Sequence, residues 1–221
     1  DGHSTDETID IIKSFPDPQN KIVLIQKDGF WDGKTEMCNE WSKRATGDYL
    51  WQVDSDEFYH ERDIEKIIKF LSDENPDQID LYANFFWGDF NHCTDERDDG
   101  KWSNDMAWQR IFKHVEGSKW LRHEPPTYQH PDGTTTFDKN RIGKGRMLEM
   151  GIKMFHYSYV CKEQVDFKSK FFKNNSYLDL WNKWHYNNSI ELLNTGNGGP
   201  ISKRFEGEHP KWIRKLLWIS N

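Results

Sequence analysis

Gly47-Asp48-Tyr49-Leu50-Trp51-Gln52-Val53-Asp54-Ser55-Asp56-Glu57 is the stretch that decides the fold. Its apolar centre, Tyr49 to Val53, predicts a strand, and that strand runs directly into closely spaced carboxylates. In open α/β sheets the carboxyl ends of strands form the ligand crevice, so a binding site belongs at this point. Asp54 and Asp56, two residues apart at a strand end, are placed to project together, and the following turn lets Glu57 approach. Such a cluster suits a hard divalent cation. Two carboxylates about 4 Å apart repel by about 4 kcal/mol at an effective dielectric near 20, and Mg²⁺ or Mn²⁺ reverses the sign. The same residues also read as a solvated acidic turn that caps the next helix, and the surrounding sequence has to decide between the two.

Upstream, Met37, Cys38, Trp41 and Ala45 fall at helical spacing between Lys34 and Ala45, and Gly47 ends the run. Before them, Ile22 to Ile25 is a continuous apolar run that follows Pro16 and Pro18, predicting a strand buried on both faces. Ser4-Thr5-Asp6-Glu7 reads as a capping box that opens a helix over Thr8, Ile11, Ile12 and Phe15. Downstream, Ile64, Ile67, Ile68 and Leu71 predict an amphipathic helix, and Ile79 to Trp87 an aromatic strand. Helix and strand alternate, which predicts an α/β layered fold with a mostly parallel mixed central sheet. Further strands are expected at Ala107 to Lys113 and Ile152 to Tyr159, with helices at Glu163 to Lys173 and Tyr177 to Leu193. Pro125 to Arg146 carries little periodicity, and a connection of that length reads as a binding loop or lid.

The bulk composition narrows the function classes. Hydrophobic residues make up 35% of the 221 positions and charged residues 30%, with 14 Phe and 11 Trp to supply a core, a pattern that is globular and fits one domain. Mean hydropathy is −0.97, and no stretch approaches the roughly 20 apolar residues of a membrane helix, so a soluble chain is predicted. Cys38, Cys93 and Cys161 are odd in number and lack C-x-x-C spacing, which disfavours a zinc knuckle or a disulfide framework. A reducing, cytoplasmic location is therefore expected, with peripheral membrane association as an extension of it. The formal net charge of −7 disfavours nucleic acid as a partner, so an anionic ligand has to be met locally, through a cation.

Asp1-Gly2-His3-Ser4-Thr5-Asp6-Glu7-Thr8, then Asn39, then Ala45-Thr46-Gly47-Asp48-Tyr49 and Asp54-Ser55-Asp56, in that order, resemble the donor-binding half of glycosyltransferase family 2. The resemblance implies a GT-A fold whose DXD motif is Asp54-Ser55-Asp56. It implies that Asp1 contacts the nucleotide base, that Asp54 lies by the ribose or metal with Ser55 beside it, and that Asp56 binds the metal bridging the donor diphosphate. Lys34 and Asn39 become further donor-site candidates. Family members carry a strand, a helix and a second strand before the first block, so the sequence is expected to lack that first unit. Arg110-Ile111-Phe112-Lys113, Trp120 and His123-Glu124 resemble the acceptor-side pattern of a bacterial and viral subgroup, as do His156-Tyr157-Ser158-Tyr159 and Phe205-Glu206-Gly207-Glu208-His209-Pro210. The expected layout is one domain over 1–221. Residues 1–100 form the nucleotide-sugar-binding half, 101–175 the acceptor side and 176–221 a helical extension.

The implied activity is metal-dependent, inverting sugar transfer from a nucleotide-sugar donor to a hydroxyl on a glycan, a lipid-linked sugar or a protein. Such transfer needs a general base, which a positioned carboxylate supplies. Glu124 is the chosen base, with Asp105 and Glu149 as alternatives. It also needs a stabilised leaving group, for which Asp56 and His156 hold the metal. His156 otherwise reads as a hydrogen-bonded core residue, and Arg110, Lys113 and Arg122 as either phosphate contacts or a cationic strand edge. Among Trp87, Trp102, Trp120, Trp181 and Trp184, one or two are expected to stack on sugar and the rest to anchor the core. The competing readings are a nucleotidyltransferase, for which the Gly-rich phosphate loop is missing, a non-catalytic carbohydrate- or nucleotide-binding relative, and a hydrolase.

Overall fold

The computed structural model describes residues 1–94, 107–187 and 202–219. In chain order its elements are α1 (Thr8–Ser14), α2 (Gly33–Ser42), β1 (Tyr49–Trp51), β2 (Glu57–Phe58), α3 (Glu61–Glu74), β3 (Gln78–Leu81), β4 (Ala83–Trp87) and β5 (His92–Thr94). There follow β6 (Trp108–Lys113), β7 (Lys119–Arg122), β8 (Thr127–Gln129), β9 (Arg141–Ile142), α4 (Lys144–Glu149), β10 (Met154–Tyr159), α5 (Lys162–Phe171), α6 (Ser176–Asn187), β11 (Ser202–Arg204) and α7 (Lys211–Ile219). They form two compact units, 1–50 with 112–140 and 51–111 with 141–221.

In the first unit Cys38, Leu50, Phe112, Trp120 and Tyr128 make a buried cluster, with Trp41 and Ala45 packed against it. The predicted lid is folded structure at its start: β7 and β8 pair antiparallel with Trp120 opposite Tyr128, and both rings are buried. Cross-strand aromatic packing stabilises the hairpin where hydrophobic periodicity was too short to show it. The capping box does not form. Glu7 is the N-cap of α1 without a side-chain cap bond, because the Ser4 hydroxyl donates to Asp1 at 2.6 Å and the Thr8 N–H is met by Asp6 at 3.0 Å. No residue of α1 is buried. Ile22 to Ile25 forms no strand either. A strand needs a ladder partner, and here the Ile22 N–H donates to the Asp17 carboxylate and the Ile25 carbonyl accepts from the Asp1 nitrogen. The run lines an open apolar cavity of about 420 Å³ with Ile12, Phe15, Trp31 and Met37.

The second unit holds a five-stranded sheet, β11-β5-β4-β10-β2, and a four-stranded sheet has the order β1-β6-β3-β9. β4 lies parallel to β10 and β3 to β9, whereas β2, β5 and β11 join antiparallel. The sheets are thus mixed, as expected, and short returns such as the one from β4 to β5 permit only antiparallel pairing. The apolar run from Ile79 to Trp87 is two strands, split at Tyr82 between the two sheets. α3 buries Asp63, Ile67 and Phe70, and turns Ile68 outward. Phe86, Cys93, Phe155, Tyr157, Val160 and Ile213 form one core cluster, and Trp87, Tyr159, Val165 and Trp181 another. Trp87 and Trp181 here, and Trp120 in the first unit, are therefore core anchors without an exposed stacking face. Trp102, Asp105, the Trp184 side chain and the end of the helix predicted to Leu193 lie outside the described residues. Among those described, no helix is long and apolar enough to cross a membrane.

Candidate functional site

Just after β1 the chain turns, closed by Glu57 N–H donating to the Asp54 carbonyl at 3.0 Å. Of its three carboxylates, Glu57 and Asp54 face Arg110, and Asp56 does not. Glu57 is 4% exposed and takes Arg110 in a two-pronged pair, Nε donating to Oε1 at 3.0 Å and to Oε2 at 2.9 Å, and Nη2 to Oε1 at 2.5 Å. This corrects the expectation of a third metal carboxylate: a buried carboxylate needs a buried partner, and Arg110 supplies it. Arg110 is likewise an interior partner and not a strand-edge cation. Burial opposes its charge, but Glu57 and then Asp54 outweigh that and hold its pKa above the usual value. Asp54 is half-buried, with its Oδ2 3.6 Å from Arg110 Nη2. Ser55 is exposed.

Asp56 faces the other way, toward β10 and α5. The antiparallel register sets His156 opposite Glu57, and Tyr157 N–H donates to the Asp56 carbonyl at 2.8 Å. This places the His156 Nε2 3.4 Å from Asp56 Oδ1. Phe85 and Trp108 contact the imidazole edge-on at 5.0 and 4.9 Å, and its buried Nδ1 has no hydrogen-bond partner. The second oxygen, Oδ2, accepts from Ser158 Oγ and from Lys168 Nζ, each at 3.1 Å. Lys168 also donates to Ser158 and sits 4.8 Å from the Tyr159 ring centroid. Burial by itself raises the pKa of Asp56, but the His156 imidazole and the Lys168 ammonium outweigh it and hold the carboxyl well below the usual range. Lys168 was not singled out in the sequence, and Ser158 only as part of the block from His156 to Tyr159. Lys168 is one of four lysines between 162 and 173, and only the packing of α5 against β10 distinguishes it.

The donor chemistry at Asp56 and His156 fits a divalent cation in part. One carboxylate oxygen and one imidazole nitrogen at 3.4 Å are near the roughly 3 Å separation of adjacent ligands around an octahedral ion of this size. Among the described residues no group of three or more His, Cys, Asp or Glu could hold a metal unaided. The remaining ligands would have to be water or phosphate oxygens, the usual arrangement for Mg²⁺.

Asp1, Lys34, Asn39 and Glu124 belong to the first unit. The Asp1 carboxylate accepts from the N–H of His3 and the N–H and hydroxyl of Ser4, its carbonyl accepts from Trp31 Nε1 at 2.7 Å, and it borders the apolar cavity. Asn39 ties α2 to β7, donating to the Thr35 and Trp120 carbonyls and accepting the Trp120 N–H at 2.8 Å. Lys34 is exposed in the first turn of α2. Glu124 is exposed just after β7, and the N–H of neighbouring His123 is anchored on Thr35 Oγ1 at 3.1 Å.

A family model described as glycosyl transferase family 2 matches residues 1–132. The match includes Asp1, Lys34, Asn39, Asp54, Ser55, Asp56 and Glu124, while His156 and Lys168 lie beyond it. No curated protein sequence matches the chain.

Proposed function

Because the chain belongs to glycosyltransferase family 2 and shows a layered, mixed α/β fold of the GT-A kind, we propose that it is a metal-dependent, inverting hexosyltransferase. It moves a sugar from a nucleoside-diphosphate donor to a hydroxyl of a glycan, a lipid-linked sugar or a protein, as surface polysaccharide synthesis requires. The observation that carries this reading is the meeting of Asp56 with His156 at 3.4 Å beside the turn after β1. Those two residues would hold Mn²⁺ or Mg²⁺, which when bound supplies charge neutralisation for the departing diphosphate. Asp1 takes the base, Asp54 and Ser55 the ribose side, and Lys34 and Asn39 complete the donor contacts. Glu124 accepts the proton of the acceptor hydroxyl as its oxygen attacks the anomeric carbon. The new C–O bond forms as the bond to the diphosphate breaks on the opposite face, so configuration inverts without a covalent enzyme intermediate. The exposure of Glu124 supports this role by leaving its carboxylate open to a hydroxyl.

The test has two parts. Thermal stabilisation by a panel of nucleotide sugars, with and without Mn²⁺, identifies the donor. With that donor, Glu124→Gln is expected to lower turnover about 10²- to 10⁴-fold while leaving donor affinity nearly unchanged. Wild-type turnover in the variant removes Glu124 as the base, and stabilisation without any turnover in the parent favours a non-catalytic binding relative.

The location we propose is cytoplasmic, which an odd number of cysteines without C-x-x-C spacing supports, and peripheral to a membrane, which the exposed faces of α7 and α5 support. α7 presents Trp212, 57% exposed, and Leu216, 49% exposed, among Lys211, Arg214 and Lys215 with no acidic residue. α5 and the residue after it expose Phe167, Phe171 and Phe172 in ring contact. Aromatic residues beside basic ones suit an anionic lipid surface. Co-sedimentation with vesicles containing phosphatidylglycerol, weakened by salt and by Trp212→Ser, is the expected result, and equal recovery with and without vesicles counts against it.

A further inference from the structure

Asp56 has two occupied sides. Oδ1 faces His156, whereas Oδ2 is held by Lys168 Nζ at 3.1 Å, and both side chains of that ion pair are mostly buried, 22% and 20% exposed. The ammonium is fixed from further directions by the Ser158 hydroxyl and the Tyr159 ring face. A divalent cation on Oδ1 would sit within a few ångströms of that fixed positive charge, in a partly dehydrated place where screening is weak. Without an added anion the metal and Lys168 oppose each other. With a diphosphate present the opposition becomes cooperation, because its oxygens can ligate the metal and meet the ammonium together.

We propose that Lys168 is a built-in rival of the metal for Asp56, so that the cation binds tightly only together with the donor diphosphate. The inference rests on the reading that Asp56 and His156 take a divalent cation. It makes Lys168 a positioning residue in the empty enzyme and a diphosphate contact in the loaded one. It also gives the site a reason to refuse free metal: a resident cation would otherwise occupy the pocket before the donor arrived, whereas here the two binding events are linked and each strengthens the other.

The experiment measures Mn²⁺ binding to the whole protein by electron paramagnetic resonance, alone and with each of UDP, GDP, CDP and ADP, correcting for the nucleotide's own chelation. In the parent protein Mn²⁺ alone should bind weakly, and the matching diphosphate should tighten it. Lys168→Met should tighten Mn²⁺ alone by about tenfold through loss of the like charge, and should shrink the gain on adding the diphosphate. Lys168→Arg, which keeps the charge, should bind like the parent. Lys168→Gln gives the same reading as Met should Met fail to fold, as judged by its thermal melt. Unchanged or weaker Mn²⁺ binding in the Met and Gln variants overturns the proposal. The failure of the underlying reading looks different: Mn²⁺ binding, alone or with any diphosphate, would then be the same in the parent and in Asp56→Asn.

Discussion

Asp56 is an acid kept ionised by its neighbours, and its environment predicts a stability signature. Burial raises its pKa, while His156 and Lys168 more than reverse this, so the folded value lies below the unfolded one near 3.9. A depressed folded pKa contributes stability that is complete above the unfolded value and is lost as pH falls toward the folded one. Asp56→Asn should therefore cost about 1.5–3 kcal/mol at pH 7, typical for bonds to a charged group, and the gap to the parent should narrow below about pH 3.9. Urea denaturation of both proteins at pH 7 and at pH 3 checks this, and a gap that stays constant contradicts the depression. Asp56 was legible as a carboxylate at a strand end, whereas His156, a histidine in an apolar strand, read as a core residue and became a metal candidate only through the family resemblance. The sequence grouped Glu57 with the carboxylate cluster because spacing shows which carboxylates are near one another and not which has a buried arginine opposite it. That opposition is made by Gln52 N–H donating to the Arg110 carbonyl at 2.8 Å, a strand pairing between residues 58 positions apart. Lys168 was hidden for a similar reason, since a lysine on a helix reads as solvent-facing until the helix is seen docked.

At the scale of elements, α3 shows how far periodicity reaches. The repeat of Ile64, Ile67, Ile68 and Leu71 located the helix, but an apolar stripe has a width, and only packing fixes its centre. That centre is Ile67, fully buried, with Phe70 and Asp63, and Ile68 is left 59% exposed at the rim. Ile67→Ala should thus cost about 2–5 kcal/mol through lost transfer energy and a residual cavity, whereas Ile68→Ala should stay within about 0.5 kcal/mol. Equal shifts in the two denaturation midpoints would mean the stripe is centred elsewhere. The long helices and β10 were legible because each carries its own pattern. The β7 and β8 hairpin was not, being two short strands joined at three pairs with one buried residue on each strand. Ile22 to Ile25 was misread because an apolar run reports a wish for burial, and a strand needs in addition a neighbour offering its own N–H and C=O groups.

For the molecule as a whole, the uneven distribution of burial predicts where the native structure opens first, and this tests the donor assignment. β10 is buried at all six residues and pairs on both sides, with β4 and with β2. Its amides should exchange with solvent only through global unfolding. Residues 1–32 are the opposite case: α1 buries nothing, Ile22 to Ile25 lacks a ladder, and Phe30 is 84% exposed. Few buried contacts hold this stretch, so its amides should exchange earliest. A ligand that binds the native state suppresses opening wherever it touches. If Asp1 holds the base while Asp56 and His156 hold the metal and diphosphate, then Mn²⁺ with the matching nucleoside diphosphate should slow exchange in two peptide sets at once, one within 1–32 and one covering 54–58 and 154–168. Hydrogen exchange followed by mass spectrometry resolves them. Slowing confined to the second set removes Asp1 from the donor site and leaves Asp56 in it, and slowing confined to the first places the nucleotide in the apolar cavity without the metal pair.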